Sequence, residues 1–459
     1  MGKVTFIHIS KNTRRGEGPI YLMPMGLVAL ADFLLKNNVD SEIIHLEVEK
    51  NLNHDFNLID YLKSNDRKIF CFDLHWHPQS RGVIEIIKRI KRNVPASHII
   101  IGGFTASFFA EEIMKNFSEV DFIIKGDAEI PLLKLVQKLK TKEKIYQSIP
   151  NLVWRNGEEI ITNKQNYIVS QKIIDNLNFS NFGLIKNYRE YVKILFTSSP
   201  SGYQKTRGGI FYYNCGRGCS VKCSFCGGSN TAQKMINNRA KVVLIKPGSV
   251  IKNLRTATNF GIKEWYTSFD PYPHGDYYLK LFKKIRKSKI KIGLSFESWA
   301  LPTKDFIDEF SKTFNKNRSK IIISPECGSE EVRRKNKGYY FSNQELIDIL
   351  EYIETEKIGV ELYFTAGLPF EKREDIIKTA KLIKFLKRNF RNILFSIFAI
   401  AIEPASPWSL DKKYGVSTKR KRFIDYYNVF KRKYSLGYRT KYFKEREIGS
   451  IIDWLRNEG

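Results

Sequence analysis

Along the first 140 residues, short apolar runs alternate with stretches whose apolar residues recur every three or four positions. "KVTFIHI", "SEIIHLEV", "KIFCFDL", "HIIIGGF" and "VDFIIKGD" predict strands. "GLVALADFLLKNN", "SRGVIEIIKRIKRN", "AEEIMKNF" and "IPLLKLVQKLK" predict the helices between them. Such alternation argues for a doubly wound parallel sheet with helices on both faces. Ligands of these sheets sit beyond the carboxyl ends of the strands. Those ends carry "HISKNTRRGEGP", "DLHWHPQS", "GGFTAS" and "KGDAE". The pattern then breaks. "IPNLVWRNGEEIITN" predicts a β-hairpin turning at Asn156 and Gly157, in a segment expected to bridge two domains. From residue 208 a second alternation starts, with strands in "GGIFYYNCG", "EWYTSFD", "KIGLSFES", "KIIISPECG", "VELYFTAGLP" and "ILFSIFAI". Six strand–helix units predict a partial or open barrel whose polar strand ends face one mouth. The expected α/β organisation is a sheet domain over 1–140, a linker with the hairpin over 141–200, a partial (β/α)6 barrel over 201–405, and a small helical region over 406–459.

Composition changes little in this picture. The 459 residues allow two or three domains, and no apolar stretch reaches the length of a membrane span. The N-terminus reads as a first strand rather than a signal peptide, so a cytoplasmic protein with reduced thiols is expected. The net charge of +29 permits an anionic partner. The basic residues are nevertheless spread along a chain rich in lysine, and no nucleic-acid module is visible, so nucleic acid is not expected as a partner.

"CGRGCSVKCSFCGGS" changes more, because it holds four of the six cysteines. Cys219, Cys223 and Cys226 form C-x3-C-x2-C after the first barrel strand. Thiolates suit iron–sulfur clusters, zinc or copper(I). Three ligands to a four-iron cluster leave one iron open to another molecule. A structural zinc would want four ligands, and Cys215 is at hand to complete the set.

The C-x3-C-x2-C spacing, with Phe225 before the last cysteine, resembles the radical S-adenosylmethionine (SAM) enzymes. "GRGCSVKCSFC" resembles their subgroup with an N-terminal cobalamin-binding domain. "GLVALADFLLKN", "IIIGGFTASFFAEEI" and "VDFIIKGDAEIPLLKL" are similar to that domain, while "ISPECGSEEVRRKNKGYYFSNQEL" and "VELYFTAGLPFEKREDI" are similar to the later barrel strands. The resemblance implies that Cys219, Cys223 and Cys226 hold a 4Fe–4S cluster whose open iron takes the amino and carboxylate groups of SAM. It implies that Gly227 and Gly228 present backbone to the SAM amino group. The family often has a polar or acidic residue next; here it is Ser229. By the same resemblance Ser324 and Glu326 contact the ribose or methionine of SAM, and Gly367 lies near adenine. Asp270 and Glu297 also end strands at the mouth, as ligand contacts or helix caps. Cys327 is expected to pack in the core, and Cys215 behind the cluster.

In the first domain the resemblance assigns cobalamin to the loops bearing Gly102, Gly103 and Thr105, and Gly126 and Glu129. The D-x-H-x-x-G motif that supplies an axial histidine in many cobalamin proteins is absent. Lys11, Asn12, Arg14, Arg15 and Gly16 occupy that loop instead. His75 and His77 are candidate contacts. Imidazole is a good cobalt ligand. Two residues apart on an extended loop, however, the rings point opposite ways, so contact by packing and hydrogen bonds is expected.

The implied enzyme is a cobalamin-dependent radical SAM methyltransferase. A 5′-deoxyadenosyl radical would take hydrogen from an unactivated carbon, and methylcobalamin would supply the methyl group. A relative performing rearrangement, oxidation or cyclisation, with cobalamin or with an empty domain, is the first alternative. A zinc-stabilised RNA-binding protein is the second. The expected partners are a small-molecule, lipid or peptide substrate and an electron donor such as flavodoxin or ferredoxin. Tyr266, Phe269, Tyr272, Phe296 and Trp299 stand near strand ends, where core packing is the ordinary use of such aromatics.

Overall fold

The computed structural model describes residues 3–10, 25–65, 67–195, 209–270, 275–428 and 436–458. Lys11, Asn12, Arg14, Arg15, Gly16 and Tyr272, singled out above, lie outside them. The chain divides into two compact units. The first takes residues 1–209 with two later segments, Lys234–Arg239 and Arg422–Phe430; the second takes the remainder.

The sheet of the first unit contains β1 (Val4–His8), β2 (Ser41–His45), β3 (Ile69–Asp73), β4 (His98–Gly102), β5 (Phe122–Ile124), β6 (Leu152–Asn156) and β7 (Glu159–Thr162). Its order is β2-β1-β3-β4-β5-β6-β7. The pairings from β2 to β5 are parallel. All five residues of β1 are buried, as both faces of such a sheet require. Helix Ser80–Asn93 buries Val83, Ile84, Ile87 and Ile90, the three-and-four spacing read from the sequence. The hairpin β6–β7 does not stand apart as a linker: it pairs antiparallel to β5 and extends the sheet. "SEIIHLEV" is also only half a strand. Pairing with β1 ends at His8 and His45, and Leu46–Leu52 is a helix. Leu46 and Val48 stay buried there, so their alternation mimics a strand after the backbone has turned.

The second unit carries six strands, Ile210–Tyr212, Glu264–Thr267, Gly293–Ser298, Lys320–Glu326, Gly359–Phe364 and Ile393–Ile397. They pair in sequence order, each parallel to the next, as an open sheet. The region after residue 405 holds the expected helices, at Pro407–Leu410, Phe423–Tyr427 and Glu445–Glu458. It also holds a short antiparallel pair, Ser417–Thr418 with Tyr438–Arg439. Helix Phe423–Tyr427 belongs to the first unit. Phe423 and Tyr426 join its apolar core, and the Glu112 carboxylate accepts the N–H groups of Phe423 (2.8 Å) and Ile424 (3.4 Å). Among the described residues no helix is long and apolar enough to cross a membrane.

Candidate active site

The cysteine loop follows the first strand of the second sheet. Its centre is pinned at Ser224, which is buried. The Ser224 N–H donates to the Asn336 carbonyl (2.8 Å), its hydroxyl to the Asn336 side chain (2.6 Å), and its own carbonyl accepts from Trp408 N–H (2.9 Å). Each candidate sulfur receives one backbone N–H. Cys219 accepts from Val221 (3.4 Å), Cys226 from Gly228 (3.3 Å) and Cys223 from Gly338 (3.3 Å). Such donors stabilise thiolate sulfur and tune iron–sulfur centres. Burial pushes all three thiols up, Cys219 to about 11. Lys337 beside Cys223 opposes this, and Glu403 beside Cys226 adds to it. A bound cationic iron–sulfur core would supply the positive charge that Cys219 and Cys226 otherwise lack, so the donor set fits that group. Among the described residues no three His, Cys, Asp or Glu side chains stand as close together as one metal ion needs. In a four-iron cluster each cysteine takes its own iron, which spreads the ligands further apart.

Cys215 is fully buried and hydrogen-bonds with Tyr277 and Tyr278. Cys327 packs with Val332 and Leu368.

Glu326 ends the fourth barrel strand just after the pairing with the fifth loses register at Ile323. Its φ is +66°, a left-handed backbone that a side-chain-bearing residue rarely adopts. The strain holds a buried carboxylate 3.3 Å from the buried ammonium of Lys337. Burial raises the Glu326 carboxyl, against the pull of Lys337. Glu297 accepts a hydrogen bond from the Tyr266 hydroxyl at 2.8 Å and also feels Lys337. One lysine thus acts on three carboxylates, Glu326, Glu297 and Asp270, and on Cys223. Asp270 accepts from Trp299 N–H (2.8 Å) and the Ser298 hydroxyl (3.3 Å), so it secures the turn after the third strand. Ser324 is half-buried on the same strand as Glu326.

Gly367 is built into the chain's own packing. Its N–H donates to Glu371 (2.6 Å), its carbonyl accepts from the Tyr438 hydroxyl (3.2 Å), and Ile448 lies where a Cβ would stand.

In the first unit the expected loops are tied to one another. Gly103 has φ +105°, and a Cβ there would meet the Leu74 and His75 backbone at 2.8 Å. The Leu74 N–H donates to Gly102 (2.8 Å), and the Thr105 hydroxyl donates to the His75 carbonyl (3.0 Å). Ser107 accepts the Gly126 N–H at 3.0 Å. Glu129 is buried and accepts from the Tyr167 hydroxyl (3.4 Å). Asp127 forms a buried ion pair with Arg239. His77 packs on Tyr426, with ring centroids 5.0 Å apart. His75 makes edge contacts with Trp76 (5.2 Å) and Phe104 (5.1 Å), and Trp76 is 46 % exposed. This aromatic group stands at the carboxyl edge of the strands.

Two features escaped the sequence. The first is His8, whose Nδ1 lies 2.9 Å from Asp73. Burial works against a charged ring, but Asp73, by charge and hydrogen bond, and Glu47 outweigh it and hold His8 above the ordinary imidazole range. His8 ends β1 and Asp73 ends β3, on either side of the point where strand order reverses, which is where such sheets take ligands. The second is Glu403, whose carboxylate accepts the Gly227 N–H at 2.6 Å across 176 residues of sequence.

Residues 17–136 match the B12 binding domain family, and residues 213–383 match the radical SAM superfamily. This chain is a radical SAM enzyme with a B12-binding domain. Over 211 residues it is 26 % identical to the hopanoid C-3 methylase of Methylococcus capsulatus, covering 45 % of this chain but only 36 % of that protein. Two solved structures share the fold. One is TsrM of Kitasatospora setae, a radical SAM methyltransferase with cobalamin and a 4Fe–4S cluster bound (TM-score 0.67, 14 % identity, 92 % of this chain and 78 % of that one). The other is the cobalamin-dependent SAM radical enzyme OxsB, with aqua-cobalamin and SAM bound (TM-score 0.65, 15 % identity, 87 % of this chain and 53 % of that one).

Proposed function

We propose that this radical SAM enzyme binds a 4Fe–4S cluster, SAM and cobalamin and methylates an unactivated carbon of a small-molecule, lipid or peptide substrate. The observation that carries the reading is the set of three cysteine sulfurs, each supplied with a backbone N–H, on a loop braced at Ser224. When bound, the cluster and SAM supply a 5′-deoxyadenosyl radical, and cobalamin carries the methyl group. Cys219, Cys223 and Cys226 would hold the cluster. Ser324 and Glu326 would orient SAM, with Lys337 keeping Glu326 charged and in place. Gly367 would shape the adenine side by fixing the backbone between Glu371 and Tyr438. The loops of Gly102 to Thr105 and Gly126 to Glu129, with His75 and His77, would support cobalamin. An electron donor such as flavodoxin or ferredoxin completes the reading.

The test is anaerobic reconstitution followed by iron, sulfide, zinc and cobalt analysis of the wild type and four cysteine variants. The expected result is four irons, four sulfides and one cobalamin in the wild type. Cys219→Ala, Cys223→Ala and Cys226→Ala should lose the iron, and Cys215→Ala should keep it. One zinc without sulfide, lost in all four variants, would end the enzyme reading.

A further inference from the structure

The cysteine loop has an outer side that the site described above leaves unused. Gly338 is exposed, and its N–H donates to Cys223 Sγ at 3.3 Å. The contact needs glycine, since a Cβ there would stand 2.6 Å from the Lys222 backbone nitrogen. One candidate cluster sulfur therefore lies a single hydrogen bond from exposed backbone.

The surroundings of that point have the make-up of a protein interface. Phe370 and Tyr414 are half-buried neighbours, with ring centroids 6.2 Å apart, and Leu410 is 52 % exposed. Phe370 has φ +68°, a strained backbone for a residue with a side chain. Both segments are tied to the cysteine loop. Trp408 N–H donates to the Ser224 carbonyl (2.9 Å), and Asn336, which also holds Ser224, donates to the Pro369 carbonyl (2.9 Å). Cations surround these apolar groups. The Lys335 ammonium stands over the Phe370 ring (5.4 Å), and that of Lys413 over the Tyr414 ring (5.2 Å). Each of these lysines pairs with an exposed carboxylate, Glu331 or Asp411, in contacts worth little in water. Lys222, Arg334 and Lys412 are exposed and form no ion pair among the described residues, which leaves the patch positive.

An apolar centre within a charged rim is the anatomy of a protein-binding surface, and the sign of the rim selects an acidic partner. We infer that this patch docks a small acidic carrier protein bearing a one-electron iron–sulfur or flavin centre, with Gly338 and Cys223 as the point of electron entry. This rests on the function proposed above, which needs a reduced cluster. One electron leaves the reduced centre of the carrier and enters the oxidised cluster. The carrier is oxidised by that electron, and no bond to the protein forms or breaks.

The test mixes cluster-loaded protein anaerobically with reduced plant-type ferredoxin or reduced flavodoxin. Cluster reduction is followed by stopped-flow absorbance and electron paramagnetic resonance. The triple variant Lys222→Glu, Arg334→Glu, Lys412→Glu should slow reduction by the carrier about ten- to a hundredfold at low salt, and the gap should close at high salt. Photoreduced deazariboflavin, small and uncharged, should reduce both proteins at one rate. A second triple variant, Lys283→Glu, Lys284→Glu, Lys287→Glu, makes the same change in charge on the exposed side of helix Tyr277–Lys287 and should keep the wild-type rate. Equal slowing by the two triple variants would reduce the effect to net charge and overturn the inference. So would slower reduction by deazariboflavin, which would place the effect on the cluster itself, or a loaded wild type that neither carrier reduces. Salt-sensitive binding of a polyuridylate RNA, lost in the first triple variant while carrier rates stay unchanged, would assign the patch to nucleic acid instead. Iron and sulfide analysis distinguishes all of these from a wild type that assembles no cluster, which would remove the underlying function.

Discussion

Gly227 and Gly228 are adjacent and chemically identical, yet the structure gives them opposite tolerances. A methyl group at Gly227 would stand 2.6 Å from the Pro404 carbonyl oxygen, with the Glu403 side chain at 3.0 Å. The closer obstacle is backbone, so no rotamer change relieves it. At Gly228 the nearest atom is Cys226 Sγ at 3.7 Å, an ordinary contact. Forcing a methylene-sized group into a packed site costs about 1–3 kcal/mol. For a unit of this size that is roughly 2–4 °C in midpoint per kcal/mol, so Gly227→Ala should lower the melting point by about 2 to 12 °C. Gly228→Ala should be neutral or stabilise by up to about 1 kcal/mol, because alanine restricts the unfolded chain. The assay is thermal unfolding of cluster-free protein followed by tryptophan fluorescence. Trp408 is buried and hydrogen-bonded to the same loop at Ser224, so it reports on this region. Equal midpoints for the two variants would refute the close approach of the Glu403 loop.

Two further outcomes test other parts of the molecule. Asp127→Ala leaves the buried Arg239 guanidinium unpaired and removes the acceptor of the Val169 N–H (2.8 Å); urea unfolding should show a loss of about 3–5 kcal/mol, and a loss under about 1 would mean the pair is dispensable. Burial raises the Glu371 carboxyl from 4.5 to about 8, against the N–H groups of Gly367 and Leu368. The folded chain then holds a proton that the unfolded chain releases, so stability falls as pH rises from 4.5 to about 8. Glu371→Gln should flatten that fall, and an unchanged slope of unfolding midpoint against pH would assign it to other groups.

Strands and helices with a strong apolar period were legible from the chain alone. β1 and helix Ser80–Asn93 depend on local spacing, and each stands within a residue or so of its expected place. The reading slipped where tertiary partners decide. "SEIIHLEV" alternates throughout, but only the half opposite β1 can remain a strand. The hairpin's turn at Gly157, φ +61°, was visible; its pairing with β5 was not, because edge pairing leaves no local mark. In the site, a compact motif displayed the three cysteines, whereas Glu403 reaches Gly227 from 176 residues away. His8 and Asp73 are 65 residues apart and become neighbours only through the strand order. No spacing rule links such residues before the sheet exists.

The docking of helix Phe423–Tyr427 in the first unit has a consequence for how the protein is made. Phe423 packs near Phe109 and Phe117, with ring centroids 5.9 Å and 5.7 Å away. On a ribosome, the B12-binding domain emerges long before the piece that covers this apolar surface. The residues between 136 and 423, at about 5–20 per second, take roughly 15 to 60 seconds to synthesise. Through that interval the growing chain presents a sticky aromatic face, which makes the nascent domain a client for chaperones. A premature stop after the barrel would leave the face uncovered permanently, so a late truncation should harm the domain made first.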